Sequence, residues 1–266
     1  MSLWTKPCTD GKSHGFNSIQ SMIESIVLSS NVAKQHYSEI HFYTDKIGYE
    51  WIKPYLKELP FTKIEVCLDD YNWIPDVYWS FVKVAVYKLQ KEPFLHIDND
   101  VFLWDAIPTE ILENKDFLFQ QLEDAREDIW TFYQAGIKTY KNAIHPEFEF
   151  KDFAVNCGIF GCLTEGAFKI LDKYFEFGEY FIKKAELNDE IKKEAISDRL
   201  LASVIIEQLF IYSLIVMNNL SFNVILDINA KPIIPIKYSH LLGESKRHYL
   251  VENMIKQRLK FKKYKA

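Results

Sequence analysis

The first half of the chain alternates short apolar runs with longer stretches in which apolar residues recur every three or four positions. The short runs predict β-strands, and the longer stretches predict amphipathic helices. The predicted strands lie at 3–5, 40–44, 63–68 and 94–97, with helices between them from 19 to 27, after Asp45 and from 75 to 91. This β-α-β-α-β-α-β order requires crossover connections, so it predicts a largely parallel sheet covered by helices, the α/β class.

The second half of the chain is less regular. Residues 153–161 are apolar but are interrupted by Asn156 and by two glycines. Glycine weakens a strand and often marks a place where a backbone or a ligand comes close. The other predicted elements are a strand at 116–120, an acidic surface turn at 123–128, helices at 165–184 and 200–217, and an exposed charged loop at 188–199. We read no apolar run as long enough for a membrane span.

Length and composition fit a single domain. The 266 residues are 48% hydrophobic and 15% aromatic, which is enough to bury a sizeable core. We assign the domain to residues 1–246 and a basic C-terminal tail to residues 247–266. The net charge of −5 argues against a nucleic-acid partner, which calls for a basic face. The four cysteines lack metal-finger spacing and the first residues lack the apolar stretch of a signal peptide, so we expect a cytoplasmic protein with reduced thiols.

The most informative stretch is the sequence PFLHIDNDVFLW at 93–104. It predicts a buried strand that ends on Asp98 and Asp100, and a second apolar run follows at once. Carboxylates beside so much apolar surface are costly unless their charge is compensated, and a hard divalent cation can do this. In α/β sheets, ligands bind beyond the carboxyl ends of the strands, where this pair is expected to lie. The alternative is that the two side chains only cap a turn.

Three more patches follow this D-x-D motif: NCGIF at 156–160, EQLF at 207–210 and HLLGESK at 240–246. In this order, the four patches resemble the GT-A glycosyltransferases, in particular the bacterial family 8-type enzymes related to glycogenin and the lipopolysaccharide galactosyltransferases. The resemblance covers residues 3–246 and implies the GT-A fold, a Rossmann-like sheet flanked by helices. It also implies a metal-dependent enzyme that moves a hexose from a UDP-sugar to a glycan or glycolipid acceptor, with retention at the anomeric carbon.

The resemblance further implies a role for individual residues. Asp98, Asp100 and His240 would hold a Mn²⁺ or Mg²⁺ ion, and the imidazole favours Mn²⁺. The ion would stabilise the charge that develops on the diphosphate leaving group. Glu207 and Gln208 would be the catalytic residues, with Gln208 beneath the reacting sugar. The expected nucleotide-sugar contacts are Trp4, Thr5, Lys83, Asp98, Asn156, Gly158, Gly243 and Lys246.

Several of these assignments have a plainer alternative. Lys83 can equally lie on a solvated helix face, Asn156 can be a structural amide, and His240 can be an ordinary surface histidine. Glu207 stands where the family has Asp, and if it faces the sugar, inversion becomes the better prediction. The late motif ends in KRH at 246–248 instead of KPW, so the rim around the phosphates differs from the family pattern.

Two other classes of function stay open. One is a non-catalytic nucleotide-sugar binding module, and the other is a metal-dependent phosphoryl-transfer enzyme. The segment at 256–265 carries six basic residues among apolar ones, so it can lie on an anionic membrane surface at the inner face of the membrane. The alternative for this segment is a frayed, solvated terminus.

Overall fold

The computed structural model describes residues 1–11, 14–126, 133–197 and 199–263. These residues form two compact units built from strands and helices, so the predicted α/β class is confirmed. The first unit consists of Met1–Asn72, Ile97–Ala106 and Ile236–Ala266, and the second of Trp73–His96 and Ile107–Pro235. The described residues 247–263 of the predicted tail are grouped with the first unit, and the domain boundary at residue 246 stays a prediction.

A parallel three-stranded sheet forms part of the first unit. Its strands are β1 (Ser2–Leu3), β2 (His41–Thr44) and β3 (Lys63–Val66), in the order β1-β2-β3. Helix α1 (Ile19–Ala33) connects β1 to β2, and helix α2 (Lys46–Ile52) connects β2 to β3. These are the crossovers that the alternating pattern predicts, because parallel strands cannot be joined by a tight turn.

The rest of the first unit is an antiparallel strand pair and a C-terminal helix. Strand β5 (Val101–Leu103) pairs with β9 (Tyr238–His240), and helix α10 (Tyr249–Lys263) packs on α1. Ser21 on α1 donates a hydrogen bond of 2.8 Å to the Glu252 carboxylate on α10. This part of the predicted tail is therefore helical and not frayed.

A mixed four-stranded sheet lies in the second unit. Its strands are β4 (Phe94–Ile97), β6 (Phe117–Asp124), β7 (Phe153–Cys162) and β8 (Phe222–Leu226), in the order β4-β7-β6-β8. Strand β6 runs antiparallel to β7 and parallel to β8. The parallel pairing predicted from the sequence thus holds for the sheet of the first unit and for one strand pair of the second.

Helices make up most of the remaining second unit. They are α3 (Ser80–Leu89), α4 (Thr109–Leu112), α5 (Tyr133–Tyr140), α6 (Glu165–Glu186), α7 (Asp189–Ser197), α8 (Arg199–Val204) and α9 (Phe210–Met217). A π-helical turn, Ile205–Leu209, separates α8 from α9. The ring of Tyr87 on α3 stacks on that of Phe160 on β7 with their centroids 4.1 Å apart, which fixes this helix against the sheet.

Short 3₁₀ turns lie at Lys6–Gly11, Lys53–Tyr55, Leu68–Tyr71, Asp76–Tyr78, Lys141–Ala143 and Gly243–Arg247.

The charged segment predicted as an exposed loop at 188–199 is helical over its described residues 189–197 and at 199, so that prediction is wrong. The Asn188 side-chain oxygen accepts hydrogen bonds from the backbone amides of Glu190 (3.0 Å) and Ile191 (3.1 Å), which caps the start of α7. Asp189 and Glu190 place negative charge at the helix N-terminus, where the helix dipole favours it. The low apolar content of this segment is typical of a loop, although its capping residues favour a helix.

The prediction of an acidic surface turn at 123–128 is wrong for the first residues of that range. Glu123 and Asp124 extend β6 and pair with Ala154 and Phe153 of β7. Residues 127 and 128 lie outside the described residues. The longer strand places the Glu123 carboxylate inside the second unit, beside residues that the sequence analysis selected for other reasons.

The stretch Leu200–Met217 is, by length and composition, apolar enough to cross a membrane, with a mean hydropathy of 2.1 over 18 residues. The sequence-based prediction that no apolar run reaches this length is therefore wrong. The reason for the high hydropathy is burial, since 78% of the stretch is inside the protein. A helix that is apolar all round is expected for the core of a large unit.

We predict that Asp45→Ala lowers the free energy of unfolding by about 3 kcal/mol, because three hydrogen bonds to a charged group are lost. The buried Asp45 carboxylate accepts from the Thr5 amide (2.6 Å), the Thr5 hydroxyl (2.7 Å) and the Gly48 amide (2.7 Å). It therefore caps α2 and holds the segment after β1. Urea denaturation followed by circular dichroism measures the change.

The matched control is Asp69→Ala, which removes a carboxylate that accepts from the Lys46 amide (3.0 Å) at the surface. We expect this control to cost less than about 1 kcal/mol. Equal losses in the two variants would contradict the role given to Asp45.

Candidate active site

The D-x-D motif forms the turn between β4 and β5. The Val101 amide donates to the Asp98 carbonyl (3.1 Å), which closes the turn, and the Asn99 side chain donates to the Ser2 carbonyl (2.7 Å). Asp98 is half-buried and Asp100 is buried, with 5% of its surface exposed. The two carboxylates are thus held on a short, braced turn.

Two buried serines of α1 hold this turn from the helix side. The Ser25 hydroxyl donates to the Asn99 carbonyl (2.8 Å), and the Ser29 hydroxyl donates to the Val101 carbonyl. Residues four apart lie on the same face of a helix, so one face of α1 reaches both carbonyls. The sequence analysis missed these residues. The available signal was the presence of serines at helical spacing on an apolar face, because a buried hydroxyl needs a partner.

Strand pairing brings His240 to the D-x-D motif across about 140 residues of sequence. His240 stands opposite Val101 in the antiparallel pair, and the Leu241 amide donates to the Asp100 carbonyl (3.1 Å). The His240 Nε2 atom lies 3.5 Å from Asp100 Oδ1. One ligand atom each of Asp98, Asp100 and His240 lies within 4.8 Å of the others. The predicted proximity of these three side chains is confirmed.

Lys246 completes this cluster. Its Nζ atom lies 2.5 Å from Asp100 Oδ2 and donates to the His14 carbonyl at 3.3 Å. A Cβ atom at position 15 would lie only 3.2 Å from the Lys246 Cδ atom, so Gly15 leaves room for the lysine stem. Gly243 begins the turn that carries Lys246 and has a left-handed φ of +51°, which glycine adopts without cost.

The electrostatics of the cluster keep Asp100 ionised. Burial on its own would raise the pKa of Asp100, but the ammonium of Lys246 and the imidazole of His240 outweigh burial, and the pKa is lowered. A carboxylate that is already ionised can bind a cation without first losing a proton. Burial lowers the pKa of His14, whose Nε2 atom lies 2.9 Å from the Trp4 carbonyl.

These residues fit a divalent cation by their chemistry. Asp98 and Asp100 supply the hard oxygen ligands that Mg²⁺ and Mn²⁺ prefer, and the imidazole of His240 is a ligand that Mn²⁺ accepts readily. The buried Asp100 carboxylate needs a positive partner, and Lys246 provides one. That the cluster holds a metal ion stays a prediction.

Trp4 and Thr5, two predicted nucleotide-sugar contacts, are buried within the first unit. The Trp4 indole donates to the Asn72 side chain (3.3 Å), and the Thr5 hydroxyl donates to Asp45. Both side chains thus have partners within the unit. Their contact with a nucleotide stays a prediction.

In the second unit, Glu207 and Lys83 form a buried ion pair. The exposed side-chain fractions are 8% and 10%, so the alternative of a solvated helix face for Lys83 is wrong. The Glu207 carbonyl accepts from the Tyr174 hydroxyl (2.7 Å) and the Cys157 thiol (3.4 Å). These contacts lie at the π-helical turn, where the Phe210 amide donates to the Ile205 carbonyl five residues back. Such turns inside helices are frequent at functional sites.

Gln208, the next residue on this turn, is half-buried and belongs to a second network. The Tyr133 hydroxyl contacts the Gln208 side chain and lies 2.6 Å from Glu123 Oε2. The Asn156 amide donates to Glu123 Oε1 (3.3 Å), and its oxygen accepts from the Gly158 amide (3.0 Å). The sequence analysis missed Glu123 and Tyr133, because it assigned Glu123 to a surface turn.

The comparisons with known proteins give a family and several structural likenesses. A family profile described as "Family of unknown function (DUF6734)" matches residues 1–265. The chain belongs to this family. No curated protein matches the sequence. Among 19 matching chains of solved structures is mouse xyloside xylosyltransferase 1 in its apo form, at 13% identity and a TM-score of 0.45, covering 85% of this chain and 83% of that one.

We predict that Lys83→Met lowers the free energy of unfolding by about 3–5 kcal/mol, because it leaves Glu207 buried without its partner. The double variant Lys83→Met/Glu207→Met should recover much of this loss, since both charges are then gone. Chemical denaturation of both variants measures the difference.

Lys88→Met is the matched control, because Lys88 lies on the same helix and forms a loose surface pair with Asp172 (3.9 Å). This control should cost less than about 1 kcal/mol. If the double variant is no more stable than Lys83→Met, the loss of stability in Lys83→Met does not come from the unpaired Glu207 charge.

Proposed function

We propose that this protein is a metal-dependent glycosyltransferase that moves a hexose from a UDP-hexose donor to a hydroxyl group of a glycan or glycolipid. The observation that carries the proposal is the meeting of Asp98, Asp100, His240 and Lys246 in one cluster. The motif order suggested these residues as one site, and their contacts support it.

The chemistry of the donor explains why such a cluster is useful. When the bond to the sugar breaks, negative charge develops on the diphosphate, and a divalent ion held by Asp98, Asp100 and His240 would stabilise it as a Lewis acid. Lys246 would add an ammonium group to the phosphates. The braced turn and the strand pair hold these side chains in place, which is what transition-state stabilisation requires.

Glu207 and Gln208 are the residues proposed to act on the sugar. Glu207 is buried in its ion pair with Lys83, whereas Gln208 is half-buried. An inverting enzyme needs a carboxylate free to take the acceptor proton. The engagement of Glu207 favours Gln208 as the residue facing the sugar, and therefore transfer with retention.

Two alternatives make different demands. A metal-dependent phosphoryl-transfer enzyme could use the carboxylate pair, but it gives no role to Gln208 and its network. A non-catalytic module would bind the nucleotide sugar without turning it over. In the C-terminal segment, Lys256 pairs with Glu252 and Arg258 lies over the Trp104 ring, so these two basic side chains have contacts within the first unit. Contact of the segment with a membrane stays a prediction.

We predict that UDP binds at least about tenfold more tightly with Mn²⁺ than with EDTA, because the cluster carries two carboxylates against one ammonium. Asp100→Ala should abolish this difference while the protein stays folded. Isothermal titration calorimetry gives the affinities, and thermal unfolding checks the fold.

Asp105→Ala is the control, because it removes a neighbouring carboxylate that accepts from the Lys237 amide (3.0 Å) outside the cluster. It should keep the dependence on Mn²⁺. Equal UDP affinity of the unmodified protein in Mn²⁺ and in EDTA would refute the metal site.

We predict that the product formed from an α-linked UDP-hexose is also α-linked, because Gln208 lacks the basicity of a carboxylate. NMR of the anomeric coupling constant in the product decides the point. A β-linked product would overturn retention but leave the transferase function standing. Tight binding of UDP-hexose with no transfer and no hydrolysis would favour the binding module instead.

A further inference from the structure

In the network around Gln208, the Tyr133 hydroxyl has one hydrogen for two acceptor oxygens. The Tyr133 hydroxyl contacts Glu123 Oε2 at 2.6 Å and also the side-chain oxygen of Gln208. A phenol has a single O–H, so it can donate to only one of two oxygens, and a close pair of oxygens without a hydrogen is repulsive. With Gln208 presenting its oxygen to Tyr133, one of these two contacts lacks a hydrogen.

The nature of the partners decides which contact receives the hydrogen. Glu123 offers a carboxylate, which binds a hydroxyl more strongly than a neutral amide oxygen does. Burial and the Glu123 carboxylate raise the pKa of Tyr133 well above its ordinary value, so the phenol keeps its hydrogen. The hydroxyl hydrogen therefore belongs to Glu123.

The remaining contact is satisfied if the Gln208 amide turns by half a rotation. The oxygen and nitrogen of a carboxamide have nearly the same shape, and the hydrogen-bond network determines which is which. With its NH₂ group toward Tyr133, Gln208 donates to the phenol oxygen. Its own carbonyl oxygen then points to the opposite side.

We propose that Glu123 and Tyr133 are positioning residues that orient the Gln208 amide, so that its NH₂ group binds Tyr133 and its carbonyl oxygen is presented away from it. The functional part rests on the proposed transferase function, in which that oxygen faces the electron-poor anomeric carbon. Asn156 supports the arrangement, because it donates to the other oxygen of Glu123 at 3.3 Å. Glu123 is thereby held by both of its oxygens.

The orientation can be tested without substrate. In protein labelled with [¹⁵N]glutamine, Gln208→Leu identifies the side-chain amide signal by its loss. In the unmodified protein, one Gln208 amide hydrogen should exchange with water about 2–10-fold more slowly than in Tyr133→Phe, as expected for one hydrogen bond. Tyr140→Phe, the same change seven residues on in α5, should have no effect on this signal.

Glu123→Gln gives a second variant. Its new amide can donate to the Tyr133 oxygen, which releases the phenol hydrogen for the Gln208 carbonyl and reverses the Gln208 amide. The slow exchange should therefore be lost, as in Tyr133→Phe. Unchanged exchange of the Gln208 amide in both variants would overturn the proposed orientation, whatever the protein catalyses.

The functional part is tested by a double-mutant cycle. Tyr133→Phe should lower kcat by about tenfold and leave KM for the UDP-hexose nearly unchanged, because Tyr133 acts through Gln208 and is not itself a proposed contact of the donor. In a Gln208→Ala background, Tyr133→Phe should have no further effect. Losses that multiply would show that Tyr133 acts through general stability and would overturn its positioning role.

The failures of the two proposals are distinguishable. If the unmodified protein turns over no nucleotide sugar but the amide exchange behaves as expected, the transferase function fails and the orientation stands. If transfer occurs but amide exchange and the cycle show no link between Tyr133 and Gln208, the transferase function stands and this inference fails.

Discussion

The charge of the buried Asp100 carboxylate is the constraint that links distant segments of the first unit in one cluster. An ionised group with 5% of its surface exposed must find compensation nearby. The compensation comes from His240 and Lys246, which are distant in sequence, so the chain has to return to this place. The pairing of β5 with β9 accomplishes the return, because it puts His240 opposite Val101. A polar requirement thus fixes the position of the last segment of the unit as firmly as apolar packing would.

The second unit solves the same problem at Glu207. Lys83 supplies an opposite charge for Glu207, and Tyr174 and Cys157 donate to the Glu207 backbone carbonyl. Glu207 lies in the π-helical turn, which is an irregularity in the helical ladder. The same turn leaves the adjacent Gln208 half-buried. One local irregularity therefore carries both a buried, charge-paired residue and a half-buried one.

The features that could be predicted from the sequence share one property: each depends on a few residues that are close together in the sequence. The apolar run before Asp98, the Asp45 cap and the late patch from His240 to Lys246 are of this kind, and the structure contains all three. What could not be predicted depends on partners distant in sequence. In the sequence, Ser25 has no feature that distinguishes it from other helix residues, because its partner is the distant Asn99 carbonyl. Glu123 is predicted in a surface turn, because the pairing of β6 with β7 is not visible in the sequence around it. The π-helical turn is not predicted either, because the apolar run at 200–217 on its own predicts one regular helix.

The charges of the first cluster have a consequence for any anionic ligand. Asp98, Asp100 and Lys246 together leave one net negative charge when His240 is neutral. A diphosphate would be repelled by that charge, and the repulsion is strong where water is excluded. A divalent cation reverses the sign of the cluster, so cation and diphosphate would bind as partners. Lys246 then has two possible partners, Asp100 in the free protein and the phosphates in the loaded one. Asp100 needs a positive neighbour in both states. A bound cation would replace Lys246 in this role, so that the charge of the buried carboxylate would stay compensated.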